Sequence, residues 1–134
     1  MTNDFLAFAP ISTDAPAAVS GLSGRTEAGA LLDDLMARVG VDGLVAALAD
    51  PGLLALIDQH AAAVRDSLAD AGRAIDEPAL ASYARSILAS ARRMGRAVPA
   101  PGEAPTRPAD WMHTDWHLLR LAAVCLLADE HAVL

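Results

Sequence analysis

At 134 residues the chain is too short for two well-formed cores, and its net charge of −7 argues against a nucleic-acid or anionic-membrane partner, both of which require a positive surface. A domain of this size buries about two thirds of its unfolded surface, so it needs neither disulfides nor a metal to fold. Ala fills 31 positions, five residues are aromatic, and all ten cations are Arg with no Lys; this composition favours helix and matches codon bias in a GC-rich bacterial genome.

Residues 1–24 read as an extended arm, because Pro10, Pro16, Gly21 and Gly24 interrupt any helical period. Its apolar residues Phe5, Leu6, Phe8 and Ile11 suit docking on the domain itself or on a partner. Residues 25–134 then read as one helical domain. A first helix is expected over 26–39, capped by Ser23 or Thr26, ended by Gly40 and carrying the stripe Leu31, Leu32, Leu35, Met36 and Val39. A short second helix over 43–49 takes Asp42 as its cap. Asp50-Pro51 starts a third helix running to about Ala71, with Leu54, Ile57, Ala61, Val64 and Leu68 facing the core. The fourth is expected over 77–95 behind Asp76, with Leu80, Ala84, Ile87, Ala91 and Met94 inward.

The prolines at 99, 101, 105 and 108 make residues 97–109 a long loop. A fifth helix begins near Asp110 or Thr114 and reaches about His131. It is apolar on nearly every side between Trp116 and Ala128, which marks a central helix. The fold class is therefore all-α, a single-domain bundle of about five helices around the C-terminal one. The longest apolar run, 121–128, is too short to span a bilayer. The first residues lack the basic region of a secretory signal, and the single Cys125 lies in an apolar run; both point to a reducing cytoplasm.

The chemically richest segment is 110–120. If one helix begins at Asp110, His113 and His117 share a face, as do Trp116 and Arg120. His113 or His117 can serve as proton shuttle, with Asp110 or Asp115 to orient it. No third ligand accompanies the histidine pair, so no metal and no cofactor is expected. Arg120, set between Leu119 and Leu121, must find a partner: a structural carboxylate or an anionic ligand. Trp111 and Trp116 either anchor the last helix or frame a ligand. Tyr83 can donate a hydrogen bond into the core or to a ligand, and His60 sits at the edge of the third helix's stripe. Five Arg against the single Glu103 make 85–107 a local basic patch in an acidic chain.

The segments Asp58-Gln59-His60-Ala61-Ala62-Ala63-Val64-Arg65-Asp66, Leu80-Ala81-Ser82-Tyr83-Ala84-Arg85 and Asp110-Trp111 through Asp115-Trp116 to Arg120-Leu121-Ala122-Ala123-Val124-Cys125 together resemble an uncharacterised family of small actinobacterial proteins of natural-product biosynthesis. The likeness covers roughly residues 30–128. It implies a setting in specialised metabolism and carries no reaction or catalytic residue with it.

Two functions follow as expectations. In one, the protein binds or transforms a small organic intermediate between the last helix and its neighbours, with Trp111, Trp116, His117 and Arg120 at the mouth and His60 and Tyr83 as further candidate ligand contacts. In the other, it is a non-catalytic interaction or stabilising module for a biosynthetic enzyme or an acidic carrier protein, met through the arm, the proline-rich loop and the arginine patch. A homodimer is compatible with either.

Overall fold

The computed structural model describes residues 26–132; the arm, with Phe5, Leu6, Phe8 and Ile11, lies outside the described residues. The described residues contain six helices and no strand: α1 (Glu27–Val39), α2 (Val41–Ala47), α3 (Pro51–Asp70), α4 (Glu77–Arg93), α5 (Pro108–Met112) and α6 (Trp116–Ala132).

The helix starts follow the cap chemistry of the sequence. Thr26 Oγ1 accepts the Gly29 amide at 2.9 Å, an Asp50 carboxylate oxygen that of Leu53 at 2.9 Å, and an Asp76 oxygen that of Ala79 at 2.9 Å. Pro51 and Pro78 lie in the first turns of α3 and α4, where a missing N–H costs nothing. Gly40, at φ 69°, ends α1 in the left-handed conformation that a side chain would strain. That same residue launches α2, which therefore begins at Val41; Asp42 falls inside its first turn and does not cap it.

Helix α6 packs against α1, α2, α3 and α4, and is the central element anticipated from its all-round apolarity. Leu121, Ala122, Ala123, Val124 and Cys125 are wholly buried in succession. On α4, Ala79, Ala81 and Ala84 are also wholly buried, so small side chains line the neighbouring surfaces of these two helices. The core stripe of α3 is Leu53, Ile57, Ala61, Val64 and Leu68, whereas Leu54 is exposed. Met94, expected inward, is also exposed, because α4 stops at Arg93 and the chain turns at Gly95.

The expected fifth helix is two helices. Thr114 Oγ1 donates to the Trp111 carbonyl at 2.7 Å and closes α5, while an Asp115 carboxylate oxygen accepts the His117 amide at 2.8 Å and opens α6. Thr and Asp thus spend their side chains on the backbone at a break between helices. Trp111 anchors the five-residue α5 in the core with no exposed surface. Among the described residues no helix is long and apolar enough to cross a membrane.

Candidate functional site

Three helices bring polar side chains to one seam. His60 comes from α3, Tyr83 and Ser90 from α4, and Trp116, His117 and Arg120 from α6. Tyr83 and Ser90 lie two turns apart on α4, and Trp116 and Arg120 one turn apart on α6, so each pair shares a helix face.

Arg120 occupies the junction. Its Nε donates to His60 Nδ1 at 2.9 Å and its Nη1 to the Tyr83 hydroxyl at 2.7 Å. Its Cζ lies 5.6 Å from the centroid of the Trp116 ring, within cation–π range. To accept from Arg120, His60 must be neutral with its proton on Nε2. Burial, followed by the adjacent guanidinium, accordingly holds His60 below its ordinary pKa. The carboxylate anticipated for Arg120 is not there: none of the ion pairs among the described residues includes it. A half-buried guanidinium is therefore held by two neutral acceptors, and its Nη2 has no partner among the described residues.

A second chain of hydrogen bonds runs beside the first. His117, 2% exposed, places Nδ1 2.6 Å from Asp115 Oδ1 and Nε2 3.1 Å from Ser90 Oγ. With the carboxylate accepting from Nδ1–H, Nε2 in that tautomer can accept from the serine hydroxyl. Arg96 Nε meets the other Asp115 oxygen at 3.1 Å. The His117 backbone amide chiefly, with the His117 ring and Arg96, holds the Asp115 carboxyl below the usual carboxylate range. Trp116 stacks on the His117 ring at 3.9 Å between centroids, and 42% of its own surface remains exposed.

The remaining residues singled out in the sequence separate from this seam. His113 is exposed at the end of α5, and the break at 113–115 removes the face it was expected to share with His117. Asp110 pairs with Arg107 at 3.0 Å in solvent and does not orient a histidine. Trp111, expected at the mouth, lies wholly inside the core, and its indole N–H has no hydrogen-bond partner among the described residues. Ser90 and Arg96 were not singled out as site residues. The available signal was the spacing of Ser90 behind Tyr83 and Ile87 on an inward stripe. Among the described residues no cluster of three or more His, Cys, Asp or Glu is placed to hold a metal ion.

A cavity of about 330 Å³ lies elsewhere, lined by Leu32, Met36, Ile75 and Leu80 with Ala128 and His131 near the end of α6. None of the seam residues lines it, so this cavity and the seam are separate features. Cys125 is inert by comparison. Burial pushes its thiol up to about 12, leaving almost no thiolate at neutral pH. Iodoacetamide should leave the native protein unmodified over hours and alkylate it once in denaturant; fast stoichiometric labelling without denaturant would show that the core opens.

Neither the curated proteins nor the solved structures offer a match to this sequence. The family of unknown function designated DUF6401 matches residues 51–134, a span that begins with α3, excludes α1 and α2, and contains every residue of the seam. The chain belongs to that family of unknown function.

Proposed function

We propose that the protein binds a small organic anion at the seam between α3, α4 and α6, as a component of bacterial specialised metabolism. The observation that carries the binding reading is Arg120: a fixed guanidinium whose Nη2 has no partner, and which has no carboxylate partner, among the described residues. His60 and Tyr83 hold the guanidinium without neutralising it, so its charge is available to a ligand. The free Nη2 and the undiminished charge suit a carboxylate or a phosphate ester, which gains a charge-assisted hydrogen bond there. Trp116 supplies an exposed aromatic face beside the charge for the ligand's organic part. The metabolic setting rests on the resemblance to actinobacterial biosynthetic proteins, not on the seam.

Trp116 is the natural reporter, since the other tryptophan is wholly buried. Titration with aromatic and aliphatic carboxylates and with phosphate monoesters is expected to change Trp116 fluorescence saturably for at least one class, and Trp116→Phe should abolish the signal. Absence of any binding tighter than about 1 mM, equivalent to roughly −4 kcal/mol, across both classes would defeat the proposal.

A further inference from the structure

We propose that Ser90 is a nucleophile activated by His117 and Asp115, and that it accepts an acyl group from an activated ester or thioester. The order is the one general-base activation requires: hydroxyl, imidazole, carboxylate. Ser90 Oγ lies 3.1 Å from His117 Nε2, and His117 Nδ1 lies 2.6 Å from Asp115 Oδ1. Asp115 is itself fixed by the His117 amide at 2.8 Å and by Arg96 at 3.1 Å, so the carboxylate holds the ring in one tautomer and one orientation. His117 is buried under Trp116, whereas Ser90 is only half-buried. A serine inside a helix commonly turns its hydroxyl to the carbonyl one turn back; this one bonds the ring of α6.

In the step itself, Ser90 Oγ forms a bond to the carbonyl carbon as its proton passes to His117 Nε2. The tetrahedral adduct then collapses, the bond from carbon to the leaving sulfur or oxygen breaks, and the leaving group takes the proton from Nε2. The products are an ester on Ser90, a free thiol or alcohol, and a neutral ring. Ser90 sits within α4, so its own amide and those around it are committed to the helix and none is free to receive the charge of the carbonyl oxygen. Loss of such a donor costs about 10²–10³ in rate in enzymes that have one, so the acyl group is held on Ser90 rather than rapidly released to water. That the natural donor carries an anionic group rests on the Arg120 reading above; the activation of Ser90 does not.

The test uses the full chain and p-nitrophenyl acetate, a neutral acyl donor that needs no anion site. Intact-mass measurement should show one acetyl group per chain, and peptide mapping should place it on Ser90. His117→Gln, which keeps a polar side chain of similar reach, should slow that acetylation at least about 100-fold, as loss of general-base catalysis does. Ser90→Cys guards against a variant that merely misfolds. In a chain whose melting curve matches the wild type, this thiol should react with iodoacetamide while Cys125 does not. Acetylation absent from Ser90 in the folded wild type, or equally fast in His117→Gln, would overturn the proposal. Acetylation at Ser90 without measurable anion binding would leave it standing and remove the Arg120 reading alone.

Discussion

Trp111→Ala is expected to lower the unfolding free energy by about 3–5 kcal/mol, the range for deleting a large buried aromatic and leaving a cavity. The physical reason is local as well as volumetric. Helix α5 has five residues, too few to hold itself by backbone hydrogen bonds, and Trp111 is its only buried side chain. Without that ring, α5 loses its anchor, and the proline-rich segment preceding it loses its fixed end. A domain of this size has about 5–15 kcal/mol of stability in total, so the melting temperature should fall by many degrees. Trp111→Phe is the control. The indole N–H is buried with no partner among the described residues, so phenylalanine removes an unsatisfied donor while keeping most of the apolar contact. It should cost less than half as much as alanine. Denaturant unfolding followed by circular dichroism measures both, and an alanine variant within about 1 kcal/mol of wild type would show that α5 is not part of the cooperative core.

The caps at Thr26, Asp50 and Asp76 were legible because their physics is local: one side-chain oxygen and one amide three residues on. The central position of α6 was legible from its all-round apolarity. The phase of α3 was legible from Ile57 to Leu68 and differs only in the first turn, where Leu53 and not Leu54 is buried. In Leu53-Leu54-Ala55-Leu56-Ile57 almost every position is apolar, so periodicity alone does not choose Leu53 over Leu54, and packing against α6 decides. The break between α5 and α6 was present in Thr114 and Asp115 as a possible helix start, yet the apolar continuity around them allowed a single helix from Asp110. That phase is what gave His113 a role. The Asp115–His117 pair needed only two residues of spacing, and the structure brings it together. Ser90 was hidden because a small hydroxyl near the end of an amphipathic helix gives no signal of its own, and its bonding partner is 27 residues away in sequence. The sequence allows Arg120 a structural carboxylate or an anionic ligand as partner; in the fold two neutral groups, from α3 and α4, hold it instead of a carboxylate.

That difference sets the expectation for Arg120→Met, where binding and stability should part company. Affinity for the carboxylate or phosphate probe should fall about 100-fold, since hydrogen bonds to a charged group contribute about 1.5–3 kcal/mol. Unfolding free energy at pH 7 should stay within about 1 kcal/mol. Removing half of a buried ion pair costs about 3–5 kcal/mol because the other charge is stranded, but here nothing charged is left behind. The lost hydrogen bonds to His60 and Tyr83 are offset by no longer having to keep a cation half-buried. The pH dependence gives an independent reading. His60 is held below its ordinary value of 6.5 in the folded protein, so the unfolded chain takes up a proton first as pH falls. The stability gained by keeping the ring neutral is fully present above about 6.5 and is lost as pH falls through the lowered folded value. Protonation would also turn Nδ1 into a donor facing the Arg120 donor. In Arg120→Met the repulsion from the guanidinium is gone and only burial lowers the pKa, so the stability lost as pH falls below 6.5 should be smaller than in the wild type. If Arg120→Met instead costs several kcal/mol at pH 7, the guanidinium is a strut joining α3, α4 and α6, and its charge is not held ready for a ligand.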